Sequence, residues 1–146
     1  MARGRLGWLC LAAVGAILLM PACGGGGETV DVTLQEFAVG VDPASVSAGE
    51  VTFSVTNEGP DDVHEFVVIR TDLGPTELPT DENGAVDEAG GGMEVVDEIE
   101  DMEVGASEEL TVDLEAGSYV LICNIWDEDE QESHFQEGMR AAFTVE

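Results

Sequence analysis

From residue 29 to the end of the chain, apolar and polar side chains alternate with a period of two, in runs too short for helices. In TVDVTLQEFAV (29–39), Val30, Val32 and Leu34 fall on one side, and Asp31, Thr33 and Gln35 on the other. EVTFSVTN (50–57) repeats the pattern with Val51, Phe53 and Val55, and ELTVDL (109–114) repeats it again. A period of two places alternate residues on opposite faces of a strand, so these runs read as strands with one wet face. HEFVVIR (64–70) and SYVLICNI (118–125) are apolar on both faces and belong at the centre of a sheet, while RAAFTVE (140–146) closes the chain. The stretches 41–50, 57–62 and 115–118 are rich in Gly, Pro, Asp and Ser and read as turns. Six short strands with no convincing helix predict an all-β, antiparallel sandwich.

One stretch breaks the rhythm. Residues 71–104 are dense in Pro, Gly and acid, and read as a surface excursion, loosest at Gly90–Gly92. Within it, 93–102 is compatible with either a short helix or an irregular strand.

The N-terminus has another character. Arg3 and Arg5 precede an apolar run from Leu6 to Met20, followed by LMPACGGGGE. That is the layout of an export signal, and the run is too short for a membrane span. The cleavage region resembles a bacterial lipoprotein signal, with Ala22 before Cys23. This resemblance implies a signal peptide at 1–22, a lipidated Cys23 and a Gly-rich tether over 23–28, leaving one domain at 29–146. The other reading is ordinary cleavage and a soluble exported protein.

All 32 acidic residues lie beyond this signal, against only Arg70 and Arg140. Removing Arg3 and Arg5 takes the formal charge from −28 to −30. Such a chain repels nucleic acid and anionic lipid and favours a partner with a basic face. It also favours a monomer. Of the three cysteines, Cys10 leaves with the signal and Cys23 is the lipidation candidate, so Cys123 has no partner. An unpaired cysteine in an exported chain is either a small buried hydrophobe or a reactive group.

The neighbours of Cys123 favour chemistry. His134 follows by eleven positions and Met139 by five more, while His64 opens the most apolar strand. A sandwich can bring the ends of strands 64–70 and 118–125 together with the loop 126–138. Two imidazoles, one thiolate and a weak axial thioether are the donor set of a mononuclear blue-copper site, although zinc would also accept them. The run DEDEQE (127–132) lacks the Gly and the ligand spacing of a calcium loop and reads as a solvated acidic segment. There is no Ser-His-Asp order, no phosphate loop and no lysine, so no enzymatic role is expected.

TVDVTLQEFAVGVDPASVSAGEVTFSVTNEG, VHEFVVIRTDL, AGSYVLICNI and HFQEGMRAAFTV together resemble the cupredoxins, in particular the small lipoprotein-type members of actinobacteria and related groups. The resemblance rests on the order of elements: a histidine, then Gly-x-Tyr-x-x-x-Cys, then His-x4-Met and a final strand. It implies a Greek-key β-sandwich or barrel. It also implies one copper ion cycling between Cu(I) and Cu(II), held by His64, Cys123 and His134 with Met139 axial. The implied role is single-electron transfer outside the cytoplasmic membrane to a redox protein with a basic docking face, through a solvent-near edge of His134. Asn57 and Asn124 would brace the ligand loops. Trp126 and Phe135 would flank the site as partner-facing residues or anchor its loop. The alternatives are a copper carrier without electron transfer, and an accessory module with a degraded site. One departure stands out: ten residues, NIWDEDEQES, separate Cys123 from His134, where the family generally has two to four.

Overall fold

The computed structural model describes residues 26–146. The signal at 1–22, Cys23 and residues 24–25 of the tether lie outside the described residues. In chain order the elements are β1 (Glu28–Gln35), β2 (Ala38–Asp42), β3 (Ser45–Val46), β4 (Gly49–Gly59), β5 (His64–Thr71) and β6 (Met93–Met102). There follow β7 (Ser107–Leu114), β8 (Gly117–Ile122), β9 (Trp126–Asp127), β10 (Glu132–Ser133), α1 (His134–Glu137) and β11 (Arg140–Val145).

Two sheets carry the domain. One runs β2-β1-β4-β7 and the other β3-β11-β8-β5-β6, while β9 and β10 form a separate ribbon. The all-β expectation holds, but both sheets are mixed. β1 pairs parallel to β4, and β11 pairs parallel to β3. Alternation along one strand reports which face is wet and carries no information on the direction of the neighbour. The run 29–39 is also two strands, because β1 turns at Glu36-Phe37 and pairs back antiparallel with β2.

Alternate residues of the facing strands fill the space between the sheets. Val30, Val32 and Leu34 meet Val51, Phe53 and Val55 from one sheet, and Phe66, Val68, Leu121 and Phe143 from the other. Phe53 sits 5.3 Å from Phe66 and 5.5 Å from Phe143, centroid to centroid, at tilted and edge-on angles that suit aromatic quadrupoles. Truncating any of these rings would cost about 3–5 kcal/mol.

The two-sided apolar runs have a separate cause. The outer faces of β5 and β8 present Val67, Ile69, Val120 and Ile122, which pack beneath Leu78 and Val86 of the excursion and Phe135 of α1. The excursion is therefore the lid of a second small core. Its last third, 93–102, is the strand β6, paired antiparallel along β5 with two register shifts. Among the described residues, no helix is long and apolar enough to cross a membrane.

Candidate metal centre

The inward rows of β5 and β8 run off the end of the sandwich into the site. His64 shares the parity of Phe66 and Val68, and Cys123 that of Tyr119 and Leu121, so both point into the main core. Antiparallel pairing of β11 with β8 begins at Arg140 opposite Ile122. One step further, the Cys123 N–H donates to the Met139 carbonyl at 3.1 Å. The Met139 N–H in turn donates to the His134 carbonyl at 3.0 Å. Backbone bonds thus tie Cys123, His134 and Met139 together, and these three and His64 are all buried.

Three donor atoms converge. His64 Nδ1 and His134 Nδ1 are 3.2 Å apart, and Cys123 Sγ lies 3.9 Å from the first and 3.4 Å from the second. A triangle with those sides has a circumradius of about 2.0 Å, which is the bond length a transition ion makes to imidazole nitrogen. The donor set also fits: thiolate with two imidazoles selects copper or zinc over calcium or magnesium.

The ten-residue departure does not disturb this geometry. The acidic segment folds out as the β9–β10 ribbon, with Asp127 opposite Glu132 and Trp126 opposite Ser133. Asp127 Oδ1 accepts from the N–H groups of Asp129 and Glu130, closing the tip. At the base, the His134 N–H donates to the Ile125 carbonyl at 3.0 Å, so the chain re-enters beside the point where it left. Ser133 then caps α1, its hydroxyl accepting from the Gln136 N–H. Gly138 closes α1 at φ 137°, where a Cβ would stand 2.9 Å from the Phe37 carbonyl oxygen. Only glycine makes that approach without strain.

Asn57 braces the His64 side. Its side-chain N–H groups donate to the carbonyls of Asp62 and Met102, both at 2.8 Å, and its Oδ1 accepts from Gly59 N–H. Asn124 clamps the excursion to the Cys123 side. It accepts from Val86 N–H, donates to the Val86 carbonyl and Glu88, and gives its own N–H to Glu65 at 2.9 Å. Trp126 is half-buried at the base of the ribbon.

Two expectations are corrected. His134 is 1% exposed rather than solvent-near, because Phe37 stacks edge-on against it at 5.4 Å and the ribbon rises beside it. Phe135 is 3% exposed and faces the second core, with Arg140 over its ring, so it anchors the loop and presents nothing to a partner.

Several residues at the site carry no motif. Glu36 Oε1 lies 3.5 Å from His64 Nε2 and accepts from the N–H groups of Asp61 and Asp62. Burial raises the Glu36 carboxyl, but those N–H groups and His64 outweigh it and hold the carboxyl below its ordinary value. That contact places a negative charge beside the His64 ring without a hydrogen bond to it, while His64 Nδ1 faces Cys123. Burial depresses both imidazoles, His64 further through His134, so each is neutral at pH 7. Burial pushes the Cys123 thiol up to about 12, against the opposing N–H groups of Glu65 and Ile125. The Glu65 N–H points at Sγ from 3.4 Å. Glu36 and Phe37 sit where the alternation of 29–39 falters, and that break was the available signal.

No protein-family model and no curated protein matches the chain. Solved structures do. An auracyanin from the photosynthetic bacterium Roseiflexus castenholzii, reduced with dithionite, superposes with a TM-score of 0.58 at 18% identity, over 84% of this chain and 99% of that one. Auracyanin A, a "blue" copper protein from the green thermophilic photosynthetic bacterium Chloroflexus aurantiacus, gives 0.54 at 19%, over 83% and 100%. Reduced rusticyanin gives 0.55 at 20%, over 83% and 81%. These neighbours are cupredoxins, and the likeness shows that the chain has the cupredoxin fold.

Proposed function

We propose that this chain would hold one copper ion through His64 Nδ1, Cys123 Sγ and His134 Nδ1, with the buried Met139 thioether as a further, weak donor, and that it carries single electrons. The observation that carries the reading is the triangle of buried donors with its circumradius of about 2.0 Å. Copper bound there would supply a one-electron couple. The protein's part is to fix the donors. Backbone bonds link Cys123 to Met139 and Met139 to His134. Glu36 sets a negative charge 3.5 Å from His64 Nε2, and Phe37 and the core exclude water. A frame that cannot relax between oxidation states keeps the reorganisation cost of electron transfer low.

The wider setting belongs to the same proposal. The chain is an exported, lipid-anchored monomer, attached at Cys23 outside the cytoplasmic membrane. Its negative surface selects a redox partner with a basic face and makes encounters brief and salt-sensitive. No catalytic role is assigned. Convergence of the three donors weighs against an accessory module with a degraded site.

Titration of the purified domain with Cu(II), followed by optical and EPR spectra, tests the reading. An intense blue or green charge-transfer band that Cys123→Ser abolishes supports thiolate ligation. Its absence in folded protein overturns it. Rapid electron self-exchange separates an electron carrier from a copper carrier, which would bind Cu(I) and exchange electrons slowly.

A further inference from the structure

One small piece of the excursion holds both ends of the long Cys123–His134 loop. Thr80 and Val86 pair antiparallel, and Asp81 closes the turn between them. Its carbonyl accepts from the Gly84 N–H, and its carboxylate from the N–H groups of Asn83 and Ala85. The stem of this hairpin bonds to Asn124, directly after Cys123, whose amide meets both the N–H and the carbonyl of Val86. Its tip bonds to the residues around His134. The Gly84 carbonyl accepts from the Ser133 hydroxyl at 2.9 Å and from the Gln136 amide at 3.3 Å. Gly84 has φ 87°, and a Cβ there would stand 2.8 Å from Gln136 Cγ, so glycine alone allows this approach without strain. Leu78 and Val86 also pack with Phe135, the residue after His134. The β9–β10 ribbon differs: it leaves and returns at the Trp126–Ser133 pair, and residues 127–132 beyond it are acids and an amide that are exposed or half-buried.

We propose that hairpin 80–86 is the positioning element of the metal centre, and that the ribbon beyond Trp126 and Ser133 has no part in placing the donors. A ten-residue connection closes at an entropic cost that grows only slowly with length, and length alone fixes no spacing. The backbone bond from His134 N–H to the Ile125 carbonyl closes the loop's base. The hairpin then fixes that base against the second core, gripping the residue after Cys123 and the residue before His134 on one turn. Asn124 and Ser133 are positioning residues that act through the donors they adjoin. NIWDEDEQES can be long because its length lies outside the clamp. The role rests on the copper reading, but the clamp belongs to the metal-free chain and is measured there.

Amide hydrogen exchange of the metal-free protein reads it. Ser133→Asp still caps α1 but has no proton to give the Gly84 carbonyl. That variant and Asn124→Ala should each speed exchange at the His134 and Met139 N–H groups about tenfold or more, while Val55 and Leu121 in the main core keep their rates. Ser133→Thr, which keeps the hydroxyl, should stay within about threefold of wild type at all four. So should a chain with Asn-Gly in place of residues 127–132, which closes the ribbon at its Trp126–Ser133 pair. After copper loading, Asn124→Ala and Ser133→Asp should displace the charge-transfer band and weaken binding about 10- to 100-fold in chelator competition, and the closed ribbon should do neither. Ligand-loop amides unchanged in Asn124→Ala and Ser133→Asp, or loosened as much by closing the ribbon, would overturn the proposal. Equal acceleration of all four amides would mean general destabilisation and would overturn it too. Exchange that follows the prediction in a chain that takes up no copper would overturn the copper reading and leave the clamp standing. If the shortened chain does not fold, Asp127→Ala, which opens the ribbon's tip, replaces it with the same outcomes.

Discussion

His64 Nδ1 and His134 Nδ1, seventy positions apart along the chain, lie 3.2 Å from each other at the closed end of the sandwich. Neither ring is charged at pH 7, since burial depresses both. The proton that must leave when an ion enters is therefore on the third donor, Cys123, whose buried thiol is pushed up to about 12. Copper binding should release one proton per ion between pH 7 and 9, and apparent affinity should rise about tenfold per pH unit over that window. The sign follows from competition: a thiol protonated below about 12 gives way more easily as pH rises. An indicator-dye titration in weak buffer measures the stoichiometry. Release of no proton would place the ion away from Sγ.

Glu36→Gln separates charge from hydrogen bonding beside His64. The amide oxygen can still accept from the N–H groups of Asp61 and Asp62, so the turn should persist. What is lost is the negative charge 3.5 Å from His64 Nε2. Copper affinity should fall about 10- to 100-fold, as for other groups that orient a metal-bound histidine, with thermal stability of the metal-free protein little changed. Competition with a chelator reads the first quantity and calorimetry the second.

Glu65 should make the metal-free protein less stable as pH rises. Burial raises its carboxyl to about 7, with further contributions from Glu88, Glu98 and Glu100, although Asn124 N–H opposes the shift. The folded chain then binds more protons than the unfolded one between the ordinary value of 4.5 and about 7. Stability is highest below that window and declines through it, by about 3 kcal/mol in all. Glu65→Gln keeps an acceptor for Asn124 and should remove the decline, leaving the variant more stable than wild type at pH 7.5. Urea midpoints at pH 4.5 and 7.5 decide it.

Gly138→Ala should damage the link between His134 and Met139. The position has φ 137°, and the added methyl would meet the Phe37 carbonyl oxygen at 2.9 Å. A cost of about 1–3 kcal/mol is expected for strain of this kind, along with weaker copper binding, because α1 must shift to relieve it. Little change in either quantity would mean that the Phe37 turn yields freely.

Much of this fold was legible in the chain because strand periodicity is local. Val30, Val51 and Val112 each announce an inward face from their immediate neighbours. The two-sided runs at 66–69 and 119–122 likewise announced central strands, though not the cover that Leu78 and Val86 provide. Strand direction was not legible. The parallel pairing of β1 with β4 depends on how distant segments dock. The strand at 93–102 was ambiguous, because exposed acids along an edge blur its alternation. At the site, residue type and order singled out the donors. The partners that orient and shield them, Glu36, Phe37, Glu65 and Asp62, have no donor signature and reach the site only through tertiary folding. The burial of His134 was missed for the same reason, since Phe37 arrives from the first hairpin.

The most direct test of the account is X-ray absorption at the copper edge of the loaded domain, alongside Cys123→Ser. The account requires one sulfur at bonding distance and two nitrogens near 2.0 Å in the wild type, with the short sulfur shell absent from the variant. A wild-type spectrum fitted by oxygen and nitrogen alone, unchanged by the substitution, would contradict it.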